Sequence, residues 1–257
     1  MLEVRGLTKR YGNKTAVDSL TFDVQPGIVT GFLGPNGSGK STTMRLVLGL
    51  DHATAGEARV NGRPYAELPW PLREVGALLE ARAFHPRRSA FDHVLALATA
   101  NAIPRSRVEQ VLELVGLARV AHQRAGTFSL GMGQRLGLAV ALLGDPGVLL
   151  LDEPFNGLDP EGIHWIRGLM IALAKDGRTV FVSSHVISEV ELAAEHLVVI
   201  GSGQLLADTS ITGLAGGSTS LEAAFLDLTA ASSEYRGMRH RDWVTRGGDR
   251  AHTRRTP

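Results

Sequence analysis

Gly34-Pro35-Asn36-Gly37-Ser38-Gly39-Lys40-Ser41, at residues 34–41, fits the pattern GxxxxGK[ST] and constrains the molecule more than any other octapeptide in it. The pattern has a mechanical reason. A run of phosphates concentrates negative charge and needs many N–H donors at close range. Gly34, Gly37 and Gly39 lack Cβ, so the backbone can wrap closely around such a group. Lys40 would reach the β- and γ-phosphates, and the Ser41 hydroxyl would hold Mg²⁺. The flanks agree. Val29-Thr30-Gly31-Phe32-Leu33 reads as a strand, and Ser41 to Leu50 as a helix whose positive N-terminal end faces the anion. The bland alternative, a glycine-rich turn, does not require a strand before it and a helix after it.

Further along, Val148-Leu149-Leu150-Leu151-Asp152-Glu153 is an apolar run closed by two acids. Adjacent carboxylates at the end of a buried strand are costly unless cations or reacting groups compensate them. Beside a phosphate loop they have work to do: Asp152 would position Mg²⁺, and Glu153 would orient an attacking water. A solvated Asp-Glu turn is the competing explanation, and the presence of Lys40 and Ser41 decides against it. His185 follows the apolar stretch Thr179 to Ser184. A histidine at the C-terminal edge of a parallel sheet lies near the ligand crevice.

Composition bounds the rest. The chain has 257 residues, 44% hydrophobic and 21% charged, with a formal net charge of +1. That suits one globular domain with an added lobe. Balanced charge gives no footprint for nucleic acid, so none is expected as a partner. The absence of cysteine excludes disulfides and thiolate metal sites. Met1-Leu2-Glu3-Val4-Arg5 lacks the apolar run of a signal peptide. Leu136 to Leu143 is well short of the about 20 residues that cross a bilayer. The expectation is a soluble, cytoplasmic protein that meets the inner face of the membrane only through a partner.

Alternating apolar positions at Leu2, Val4, Val17, Leu20, Phe22 and Val24 predict a small antiparallel sheet over residues 1–27. Ile28 to Leu33, Val148 to Leu151 and Thr179 to Ser183 predict buried strands of a mostly parallel sheet. Between them lies a helical insert. Helices are expected over about 90–102 and 132–143. Another begins at a capping box, Ser106-Arg107-Val108-Glu109, with Val108, Val111, Leu112 and Val115 on one face. From about Ala230 the chain turns Arg-rich and poor in apolar residues, which reads as a disordered tail.

These motifs together resemble the ATP-binding subunit of an ABC (ATP-binding cassette) transporter over roughly residues 1–228. Gly34 to Thr42 match the Walker A motif, and Val148 to Glu153 the Walker B motif. Ser129-Leu130-Gly131-Met132-Gly133-Gln134-Arg135 is similar to the signature LSGGQ. Asn156 to Asp159 resemble the D-loop, His185 the switch histidine, and Tyr11 the aromatic that stacks on adenine. The resemblance implies a P-loop NTPase core with a mostly parallel sheet, an N-terminal antiparallel β lobe and an inserted helical lobe at about 88–145. It also implies ATP and Mg²⁺ as ligands, separate transmembrane permease subunits, and a head-to-tail homodimer that sandwiches ATP. Ser129 and Gly131 would then serve nucleotide bound by the opposite copy, and Asp159 would also belong to the nucleotide-binding set.

Two positions depart from the family pattern. The usual glutamine after the strand Val75 to Leu79 is Glu80, a carboxylate that can still ligate Mg²⁺ or join catalysis. The signature carries Leu130 and Met132 where glycine and glutamine are usual. Both departures resemble the exporter branch that handles bacitracin-like and lantibiotic peptides, as does the closing stretch Leu221 to Leu226. By resemblance, the region from Phe84 to Phe91, with Arg87 and Arg88, is where a permease would dock. Alternatives stay open: a non-transport ATPase acting on the ribosome or DNA, or an importer subunit. A single Walker A and no heptad run speak against the first, and Glu80 and the short tail against the second.

Overall fold

The computed structural model describes residues 1–216 and 220–230. The Arg-rich tail expected from about Ala230 lies outside the described residues. Strand β1 (Leu2–Tyr11) pairs with β2 (Lys14–Val24) and with β4 (Ala55–Val60), both antiparallel. A second sheet contains β3 (Val29–Leu33), β5 (Val75–Leu78), β6 (Val148–Asp152), β7 (Thr179–Ser184), β8 (His196–Gly201) and β9 (Gln204–Ser210). Its order is β5-β6-β7-β3-β8-β9, parallel throughout except for the antiparallel edge pair β8–β9.

The central strands read as unbroken apolar runs because both faces are covered. Side chains alternate faces along a strand, so β3, β6 and β7 each split their residues between two cores. Leu33, Leu149, Leu151 and Val182 face one cluster, whereas Phe32, Leu150 and Phe181 face the other. The second cluster glues the two sheets together. Phe32 stacks on Phe181 with centroids 4.9 Å apart, and Phe22 of β2 reaches both rings at 5.7 Å. Deleting one such ring would cost about 3–5 kcal/mol.

The helices are α1 (Lys40–Val47), α2 (Pro71–Glu74), α3 (Ala90–Ala100), α4 (Arg105–Leu114), α5 (Leu130–Leu142), α6 (Pro160–Lys175), α7 (Ile187–Glu191), α8 (Ile211–Ala215) and α9 (Leu221–Thr229). In chain order α3, α4 and α5 fall between β5 and β6, and their apolar faces meet. Val94 and Ala98 from α3, Val108, Val111 and Leu112 from α4, and Leu136 from α5 share one core. Asp145, which joins α5 to β6, accepts bonds from Arg107 of α4 (3.2 Å) and Arg178 before β7 (3.0 Å), tying this insert to the sheet.

Three expectations need correction. The capping box at Ser106 does not form. Pro104, extended at φ −68°, starts α4 two residues earlier, so Ser106 lies inside the first turn and no side chain caps the helix. The helix expected from Met132 begins at Leu130, because Ser129 is its N-cap. The antiparallel sheet is not confined to the first 27 residues: β4 comes from beyond α1. Its sequence, Ala55 to Val60, shows little alternation because most of its residues face solvent.

Candidate functional site

The loop from Gly34 to Gly39 joins β3 to α1, which places the start of α1 at the C-terminal end of the parallel strands. Gly39 is indispensable to the turn. It sits at φ 106°, and a Cβ there would lie 2.5 Å from the Ala16 carbonyl oxygen. The loop borders a cleft of about 450 Å³ lined by Tyr11, Asn36, Ser38, Lys40, Ser41 and Glu153, with Gly37 and Thr42 also on its wall. Two observations fit this cleft to a phosphate chain. The Ser38 hydroxyl is buried yet has no partner, and such an orphan calls for a ligand. Lys40 is also buried and donates to the Gly34 and Pro35 carbonyl oxygens (2.6 and 3.3 Å). Those contacts occupy two of the three donors of the ammonium with weak acceptors that a phosphate oxygen would outcompete. Burial pushes the Lys40 ammonium below its ordinary pKa, and the nearby Glu153 and Asp152 carboxylates act in the opposite direction.

The acidic side is built on the ends of β6 and β7. Asp152 and Ser183 are register partners on these strands. The Ser183 hydroxyl donates to Asp152 and accepts the backbone N–H of Glu153 at 2.9 Å. Glu153 leaves the strand in the left-handed region, at φ 48°, which a residue with a Cβ adopts only under external constraint. That turn aims its carboxylate back over the cleft. One oxygen lies 2.9 Å from His185 Nδ1, and the other 3.8 Å from Lys40 Nζ. Lys40, Asp152, Glu153 and His185 therefore form one constellation. Tyr11 stands at the cleft's mouth, 49% exposed, with its hydroxyl donating to Asp51 (3.1 Å) and the Lys9 ammonium 4.8 Å from its ring centre.

The remaining sequence-predicted residues lie elsewhere. Ser129 caps α5 by accepting the Met132 N–H at 3.2 Å. Gly131 packs against the Asn156–Asp159 turn so closely that a Cβ would meet the Gly157 carbonyl oxygen at 2.6 Å. Asp159 caps α6, accepting from the Gly162 N–H at 2.8 Å. None of the three lines the phosphate cleft. Neither does Glu80, which is exposed and borders a different, apolar groove of about 490 Å³ with Arg45, Leu50, Phe84, Leu97 and Val140.

A family model described as ABC transporter matches residues 17–156. The chain belongs to the ABC transporter family. It is an ATP-binding domain of that family, and its enzymatic class is ATPase. It is 42% identical over 209 residues to the bacitracin transport ATP-binding protein BcrA of Bacillus licheniformis, an alignment covering 80% of this chain and 68% of the relative. With the lantibiotic transport ATP-binding protein SrtF of Streptococcus pyogenes it shares 35% identity over 213 residues, covering 83% of this chain and 92% of that one. Among solved structures, the ATP binding subunit of an ABC transporter superposes with a TM-score of 0.81 at 26% identity, over 89% of this chain and 99% of its own. A dimeric bacterial ABC transporter cassette gives 0.75 at 24% identity, over 82% and 99%, and so shares the fold.

Sequence reasoning missed several residues of the ABC site's surroundings. Ser183, the hinge between Asp152 and Glu153, was legible only as a polar residue closing a buried strand. Asp51 holds the Tyr11 hydroxyl from a segment without a motif of its own. Gln134 reaches Glu153 from α5 and was absorbed into the signature without a separate role.

Proposed function

We propose that this chain hydrolyses ATP at the Lys40 cleft and drives export of a substrate through separate transmembrane permease subunits, working as a head-to-tail pair. The observation that carries this reading is that Lys40 and Glu153 face each other in a cleft whose wall holds an orphaned hydroxyl, with His185 bonded to Glu153 and the Asp152 carboxylate acting on the Lys40 ammonium. In it, the N–H groups of Gly37 to Thr42 and the Lys40 ammonium grip the β- and γ-phosphates. Ser41 and Asp152 would hold Mg²⁺, which when bound neutralises charge on the phosphate oxygens. Glu153 orients the attacking water and accepts its proton. His185, already bonded to Glu153, keeps that carboxylate aimed and stabilises charge developing on the γ-phosphate. Tyr11 stacks on the adenine.

Ser129 and Gly131 complete the site of the other copy. Their helix start carries exposed N–H dipoles and lies outside the cleft of its own chain. Asp159 stands beside them across the Gly131–Gly157 contact. The apolar groove that holds Glu80 and Phe84 receives the permease, and Glu80 relates that contact to the metal and water of the site. No helix among the described residues is long and apolar enough to cross a membrane, so attachment to the inner face runs through that partner. Export of an antibiotic or peptide is the reading favoured by the BcrA and SrtF likenesses.

Glu153→Gln tests the core of this proposal. Hydrolysis should fall by about 10²–10⁴-fold, the usual worth of a positioned base. ATP binding should persist, with a dimer that forms on adding ATP in light-scattering measurements. A variant that hydrolyses at the parental rate removes Glu153 from the role given to it.

A further inference from the structure

Helix α5 is buried over much of its length by Gly133, Leu136, Leu138, Ala139, Ala141 and Leu142, yet one fully polar side chain sits among them. Gln134 is only 2% exposed. Burying an amide without a partner is costly, so its bond carries information. Gln134 Nε2 donates to the Glu153 backbone carbonyl at 3.1 Å. That carbonyl also accepts the Asn156 N–H at 3.2 Å. On the other side of the same residue, the Glu153 N–H is held by Ser183 at 2.9 Å.

Glu153 therefore has both of its flanking peptide units pinned while its own φ stands at 48°. L-residues disfavour that region, so the conformation persists only because the surroundings fix it. Rotation of either peptide unit would swing Cβ and carry the carboxylate away from His185 and Lys40. Of the groups that fix it, Ser183 belongs to the neighbouring strand and Asn156 to the following turn. Gln134 alone among these three comes from α5, the helix capped by Ser129.

We infer that Gln134 is a positioning residue for hydrolysis: from α5 it fixes the backbone of Glu153, and so ties the aim of that carboxylate to the seat of the helix that carries Ser129 and Gly131. The inference rests on the proposed role of Glu153. Its consequence is mechanical. When Ser129 and Gly131 engage phosphate on a second copy, a shift of α5 is delivered to the backbone of Glu153 of the first through this hydrogen bond. The two halves of the chain then report to each other without a side chain crossing the cleft.

Gln134→Met keeps the length and burial of the side chain and removes its donor. In steady-state ATPase assays on the full chain, kcat should fall about ten- to a hundredfold, the range expected of a misplaced catalytic group. KM and the ATP dissociation constant should stay within about twofold of the parent, because no phosphate contact is lost. In a Glu153→Gln background the substitution should cost almost nothing further. An unchanged kcat overturns the inference. So does a loss that adds in full to that of Glu153→Gln, or one matched by an equal loss of ATP affinity. Should Gln134→Met not fold, Gln134→Asn shortens the reach of the amide while keeping its polarity, and the same fall in kcat at unchanged affinity is required of it. Glu153→Gln measured alongside separates the two levels. A parental rate there removes the reading of Glu153 itself, whereas a slow Glu153→Gln beside a full-speed Gln134→Met removes only the positioning role.

Discussion

The surroundings of Lys40 and those of Ser129 lie in one chain and are both helix starts, yet they are prepared in opposite ways. Lys40 is buried and only partly compensated, bonded to two loop carbonyls and facing Glu153. A charge taken out of water has to be answered within the fold. The start of α5 carries no charge. Its cap hydroxyl is spent on the Met132 N–H, and its neighbour Leu130 is 46% exposed. A helix terminus in contact with water tolerates open N–H groups. The first site is thus assembled by the chain for itself, while the second, in the function proposed above, would be completed from outside.

That contrast is broken most directly at Lys40. Lys40→Ala should weaken ATP binding by the chain alone about 10- to 100-fold, the worth of a charge-assisted hydrogen bond. Hydrolysis should drop by about 10²–10³-fold, since the lost donor also faces charge that grows in the transition state. Titration calorimetry and a phosphate-release assay read the two effects. Parental affinity in that variant would mean that the cleft is not where phosphates bind.

A smaller change sharpens the same contrast from the other side. Ser129→Ala removes the cap of α5 and should lower stability by about 1 kcal/mol, seen as a shift in the urea midpoint. If Ser129 serves nucleotide held by the second copy, hydrolysis should fall while the first-encounter ATP affinity of the single chain stays unchanged. An equal loss of monomer affinity would place Ser129 in its own chain's site and undo the division between self-made and completed halves.

How far these sites could be read without coordinates follows the same physics. Residues 34–41 were legible because a phosphate loop needs glycines and a lysine at fixed offsets in one local segment. The central strands were legible because burial on both faces makes most residues apolar at Val29–Leu33, Val148–Asp152 and Thr179–Ser184. Strand β4 was not, since its exposed residues carry no period. The cap of α4 was misplaced because a Ser-x-x-Glu pattern and an adjacent proline compete for the same helix start, and the proline's fixed φ prevailed. Gln134 could not be assigned a partner, because its bond to Glu153 crosses 19 residues and depends on how α5 seats against the end of β6. Long-range polar pairs of this kind leave no spacing in the sequence.

The mouth of the cleft offers a lesser test. Tyr11 is held at its hydroxyl by Asp51, while Lys9 lies near the ring. Tyr11→Ala should cost about fivefold in ATP affinity, the scale of one aromatic stacking contact. Tyr11→Phe keeps the ring and should change affinity by less than about twofold, as expected for an exposed hydrogen bond. Equal losses in the two would shift the recognition from the ring to the hydroxyl.

The smallest effect expected is also the one that distinguishes the two halves in the absence of nucleotide. Burial holds the Lys40 pKa below its ordinary value in the folded chain, more strongly than Glu153 and Asp152 raise it. In the unfolded chain the ammonium titrates at about 10.4. Between the lowered folded value and the unfolded one, the unfolded chain binds more protons, so stability rises with pH across that window. Below the folded value the cost of burying the charge is present in full and does not vary. Lys40→Met carries no such cost at any pH. The difference in melting temperature between parent and Lys40→Met, followed from neutral pH to about pH 10, should therefore move in the parent's favour as pH rises. Ser129→Ala, run over the same range, should keep a constant offset from the parent, because its cap contains no titrating group. A flat difference for Lys40→Met would show that the loop carbonyls and Glu153 repay the buried ammonium completely, and the first site would then carry no stored cost for being ready.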